Sequence, residues 1–187
     1  VRHECENRWL ISQIKQALKT GCLEGEISEV DTESVSYEHL VACISSCKAL
    51  TARTELAKNL VYTAEVVVPL RKILCLTPID WHALRERTND ALSPAIISLL
   101  DHSILPEIRL MESVATDRIL CDTLSRALTT RGPHGTPGDL DLSDVSVTDL
   151  NAACMFAIKD NVTTTKAAQL LNACRSTKSL REALMRT

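Results

Sequence analysis

Apolar residues recur at steps of three and four through most of this chain, the spacing of an amphipathic α-helix. Leu10, Ile14, Ala17 and Leu18 form a first stripe that stops near Gly21. The segment from Glu24 to Glu33 then carries five acids and no base, which predicts a solvated loop. Leu40, Ile44 and Cys47 resume the helical pattern, with Ser36 as the expected N-cap. Leu56, Leu60, Ala64, Val67 and Leu74 extend it in a longer helix that Thr51 is expected to cap and Pro69 to kink or break.

Three proline-bearing segments in the middle of the chain read as helix starts: Thr77-Pro78-Ile79-Asp80 ahead of Trp81 and Leu84, Ser93-Pro94, and Leu105-Pro106-Glu107. The last opens a long helix from about Pro106 through Ile108, Met111, Val114, Leu120, Leu124 and Leu128. After the breaker-rich run Gly132 to Asp139, two more stripes follow. One is Ser146, Leu150, Cys154 and Ala157, and the other Thr163, Ala167, Leu170, Cys174 and Leu184.

The second half of this pattern repeats the first. Residues 8–74 slide onto 118–184 without a gap and share 17 identities in 67 positions, among them Leu10/Leu120, Leu40/Leu150, Thr54/Thr164, Ala57/Ala167, Leu70/Leu180 and Arg71/Arg181. Self-similarity at a fixed spacing is the mark of a repeat architecture. The expected fold is therefore all-α, with antiparallel helical hairpins stacked as a solenoid-like repeat array or as two fused helical bundles. The expected organisation is a first copy over 1–76, connecting helices over 77–117 and a second copy over 118–187. The chain opens at Val1 and its last stripe stops where the first copy continues, so it reads as a piece of a longer chain.

Composition agrees with helices and narrows the chemistry. In 187 residues, 45% are hydrophobic and only 3% aromatic, with five glycines and six prolines, a poor supply for sheets and tight turns. No apolar run approaches the roughly 20 residues of a membrane span. The eight cysteines lie mostly in apolar stripes and read as reduced, buried small hydrophobes, which points to the cytoplasm.

Candidate chemistry is sparse. His39, Cys43 and Cys47 form a row at i, i+4 and i+8, yet a structural zinc needs four donors and no fourth is spaced for it. Asp139, Asp141, Ser143 and Asp144 begin like a calcium loop, but Asp144 stands where glycine belongs and Leu150 where the bidentate glutamate belongs. The Asn161-Val162-Thr163 triplet is a chance sequon in this reading. No glycine-rich phosphate loop and no nucleophile signature occurs, so no cofactor or metal is expected.

Charge is polarised along the chain. Residues 1–50 hold five bases and eight acids, whereas residues 151–187 hold six bases and two acids. The expected partner-binding residues are the acids Glu24, Glu26, Glu29, Asp31 and Glu33 of the first copy, Asp139, Asp141 and Asp144 of the second, and the bases Arg175, Lys178 and Arg181. Acidic loops at equivalent positions would form a negative rim for a basic protein surface.

The pattern of leucine- and alanine-rich helix ends, loop and second hairpin resembles the helical arrays of large cytoskeletal and ciliary scaffold proteins. That resemblance is architectural and implies a non-catalytic scaffold or protein-interaction module, cytoplasmic and cytoskeleton-associated. Two other classes stay open. One is a helical regulatory or enzymatic domain whose site assembles from distant residues such as His39, His82 and Cys75. The other is a weak nucleic-acid binder acting through the basic C-terminal helix.

Overall fold

The computed structural model describes residues 2–50, 54–129 and 146–186. Among them the secondary structure is entirely helical: α1 (Arg2–Lys19), α2 (Glu38–Leu50), α3 (Glu55–Leu74), α4 (Trp81–Ala91), α5 (Pro94–Ile97), a 3-10 turn (His102–Ile104), α6 (Leu105–Thr129), α7 (Val147–Lys159) and α8 (Thr165–Leu184). The chain divides into two compact units, Val1–Ala115 and Thr116–Thr187.

In the first unit, α1, α2 and α3 pack on one another and α4 packs on α3. Their core joins Leu10, Ile14, Leu40, Leu60, Val67 and Leu70 to Leu84, Leu100, Ile108 and Met111. The expected stripes are thus the buried faces, as burial of apolar area requires, except that Leu56, expected in the α3 stripe, is 47% exposed. Thr54 caps α3 by accepting from the Ala57 N–H at 3.2 Å. Asp80 caps α4 and Ser93 precedes Pro94 at the start of α5.

Four local expectations need correction or placement. Helix α2 begins at Glu38, so Ser36 is not its cap; the Ser36 N–H instead donates to Gly21 O at 3.1 Å. Pro69 neither ends α3 nor divides it. Val67, Leu70 and Arg71 are buried on both sides of the proline, and that packing outweighs one lost ladder bond. The cap of α3 is Thr54 and not the expected Thr51, which lies outside the described residues, as does the Gly132 to Asp139 run.

The second unit is built from the C-terminal part of α6 with α7 and α8. Its core is Leu120, Cys121, Leu124, Leu150, Ala153, Cys154, Ala157, Ala167, Leu171 and Cys174. Ser146 caps α7 by accepting from Asp149 N–H, and Thr164 caps α8 by accepting from Ala167 N–H at 3.2 Å. Thr164 also donates to the carboxylate of Asp117, and both residues are buried.

Element boundaries recur along the chain. Helices α3 and α8 each have 20 residues and begin at Glu55 and Thr165; α1 and α6 end at Lys19 and Thr129; α2 and α7 each have 13 residues. Positions 10, 14, 40, 43, 44, 47, 57 and 64 are buried, and so are 120, 124, 150, 153, 154, 157, 167 and 174.

Candidate functional site

The most constrained polar cluster in the first unit is centred on Arg71. Its side chain is 0% exposed, on the inner face of α3 between Val67 and Leu74. Two of its nitrogens donate to Glu107 at the start of α6, at 2.8 and 2.9 Å. Nη2 also donates to Leu18 O at the end of α1, and Nη1 donates to Thr20 O (2.8 Å) beside it and to Ser36 O (3.3 Å) ahead of α2. A cation is favoured at a helix C-terminus and a carboxylate in a first turn, so each charge also meets the dipole that suits it. Glu107 accepts one further bond, from Leu23 N–H at 3.2 Å.

This cluster fixes both ends of the acidic loop. Leu23 and Val35 are buried at its two ends, while Glu24, Glu26, Glu29, Asp31 and Glu33 between them are all exposed. Gly21 has φ +63°, and a Cβ there would lie 2.2 Å from Ser36 Oγ, so only glycine lets the chain turn this close to Ser36. The five acids are therefore carried on a braced segment. Asp139, Asp141 and Asp144, expected as the matching acids of the second copy, lie outside the described residues.

A cleft of about 560 Å³ opens beside the cluster, with Lys15 and Lys19 of α1 facing Asp101 and Ser103. The Ser103 hydroxyl and N–H both donate to Asp101, which holds that carboxyl below its ordinary range, with Lys15 adding to the effect. Cys22 also lines the cleft, and its thiol donates to Lys19 O and Glu24 Oε1, both at 3.2 Å. Burial and the neighbouring Glu24 raise its pKa, so the thiol stays protonated at neutral pH and is a poor nucleophile.

The remaining candidates are dispersed. His39 is exposed while Cys43 and Cys47 face the core, so the expected row does not converge. Among the described residues, no group of three or more His, Cys, Asp or Glu is placed to hold a metal ion. His82 is exposed, and the Cys75 thiol donates to Val35 O at 3.4 Å. On α8, Arg175 is exposed, whereas Lys178 donates to Asn151 of α7 at 2.8 Å and lies 3.8 Å from Glu182. Arg181 is half-buried. These bases do not form one free stripe.

Arg71 and Glu107 were not among the residues expected from sequence to act. A signal existed: the stripe 60, 64, 67, 74 skips position 71, which is where the next inward step falls, and an arginine there must be buried with a partner. No protein family, no curated protein and no solved structure matches this chain. Among the described residues, no helix is long and apolar enough to cross a membrane.

Proposed function

We propose that this chain is a non-catalytic helical-repeat scaffold, a protein-interaction module made of two copies of one three-helix unit set 110 residues apart. In this reading α1, α2 and α3 correspond to the end of α6, α7 and α8, joined by connecting helices as antiparallel hairpins of a solenoid-like array. The observation that carries it is the matched pair α3 and α8, two helices of 20 residues with threonine caps of the same geometry, Thr54 to Ala57 and Thr164 to Ala167. Repeats of this kind bury only their neighbours and leave long faces for partners. The exposed acids of the braced loop are the face proposed to meet a basic protein surface. A cytoplasmic, cytoskeleton-associated setting follows from the same reading, in keeping with eight free thiols.

The test replaces the loop charges without changing its shape, as E24Q/E26Q/E29Q/D31N/E33Q; asparagine keeps the acceptor that Asp31 offers to Glu33 N–H. Tagged wild-type and variant chains are cross-linked in cell extract, and the partner and contact residues are read by mass spectrometry. The expected result is a basic partner cross-linked beside residues 24–33 and lost from the variant. Partners retained in full by the neutralised loop would contradict the proposal.

A further inference from the structure

The cleft of about 560 Å³ in the first unit carries both signs of charge on its wall. Lys15 and Lys19 lie one turn apart on the same side of α1, and the acids of the lining are Glu24, Asp101 and Glu107. Glu107 is already neutralised by buried Arg71, so two cations remain against two carboxylates. Among the described residues, neither lysine reaches ion-pair distance of a carboxylate. Both Ser103 bonds to Asp101 fall on Oδ1, which leaves Oδ2 free to accept, and they hold that carboxyl in its ionised form at neutral pH. Most of the remaining wall is apolar, formed by Leu18, Leu23, Ile104 and Pro106.

We propose that this cleft binds a small zwitterion with an apolar body, an apolar amino acid or a short peptide with both termini free, its carboxylate on Lys15 and Lys19 and its ammonium on Asp101. A simple anion would meet Asp101 and Glu24 unfavourably, and a simple cation would meet the two lysines. A ligand of one sign therefore loses at one part of the wall what it gains at another, whereas a zwitterion gains at both. Leu18, Leu23 and Ile104 take its side chain out of water. The volume falls in the range of about 300–1,000 Å³ that small-ligand sites occupy. Every residue named belongs to the first unit, so the site stands whether or not the repeat reading holds.

Isothermal titration calorimetry on the intact chain uses L-leucine and leucyl-leucine as probes. N-acetylleucine removes the ammonium, leucinamide the carboxylate and glycine the apolar body. Saturable binding of leucine or leucyl-leucine is expected, and the tighter of the two tells a free amino acid from a peptide. Each of the analogues should bind more weakly by about tenfold or more. Both lysines are exposed, so K15Q/K19Q should keep the wild-type unfolding midpoint while losing affinity for the zwitterion. D101N keeps the acceptor for Ser103 and should weaken the zwitterion but not N-acetylleucine. The bound zwitterion should also slow iodoacetamide labelling of Cys22, on the cleft wall, and leave exposed Cys5 unaffected. No saturable binding of either probe, equal binding of any analogue, or binding that leaves Cys22 labelling or the K15Q/K19Q affinity unchanged overturns the proposal.

Discussion

The guanidinium of Arg71 meets the carboxylate of Glu107 through two parallel hydrogen bonds at 2.8 and 2.9 Å in the interior of the first unit. The same guanidinium donates to the carbonyls of Leu18, Thr20 and Ser36, so one side chain joins α1, α3, α6 and both ends of the acidic loop.

Removing one partner leaves a buried charge uncompensated. Glu107→Met is expected to destabilise the chain by about 3–5 kcal/mol, and Arg71→Met by a similar amount. The double variant R71M/E107M should lose clearly less than the sum of the two. Denaturant titration checks this, and simple additivity would show that the two residues are not coupled.

Two caps of the same geometry should differ in weight. Thr54→Ala removes a cap and is expected to cost about 1 kcal/mol. Thr164→Ala removes a cap and also the donor to buried Asp117, which adds about 1–3 kcal/mol. Thr164→Ser keeps the hydroxyl and should recover most of the loss. Thermal unfolding of the three variants ranks them.

The turn at Gly21 is the most sterically restricted in the loop. Gly21→Ala meets both a left-handed φ and the Ser36 side chain and backbone, and is expected to cost about 1–3 kcal/mol. Gly25→Ala meets nothing closer than 3.7 Å, so its cost should come from the φ of +110° alone. The loss should appear in hydrogen exchange as earlier opening around Leu23 and Val35.

Thiol reactivity should follow burial. Cys5 is exposed and is expected to react first with iodoacetamide. Cys174 is buried, donates to Leu124 O at 3.6 Å, and has its pKa pushed up to about 11 by burial, with Cys154 adding to the effect. It should be labelled only on unfolding. Because the folded thiol holds its proton more tightly than the unfolded one, its contribution to stability is complete below the ordinary thiol range. That contribution falls as pH rises toward 11. Cys174→Ala should flatten the alkaline limb of a stability-pH profile.

Much of the helical order was legible because apolar periodicity reports directly on which face is buried. The stripes at Leu10 to Leu18, Leu40 to Cys47 and Leu150 to Ala157 are core faces. Boundaries were less legible where a rigid local rule met tertiary packing. Pro69 reads as a breaker, yet α3 is held on both sides of it; Ser36 reads as a cap, yet its backbone is committed to Gly21. The buried pair was the least legible feature. Partnership between residues 71 and 107 depends on a packing that brings the end of α3 to the start of α6, and only the apolar company of Arg71 hinted at it.

In the proposed repeat, residues 110 apart occupy matching places in two like units. Alanine truncation of position-matched leucines tests it most directly. Leu10 and Leu120, and Leu40 and Leu150, should each cost about 2–5 kcal/mol and agree within each pair, while Leu70 should cost as much and Leu180 almost nothing. A free energy of unfolding measured for each variant that left Leu120 or Leu150 as tolerant as a surface position, or Leu180 as costly as Leu70, would contradict the account.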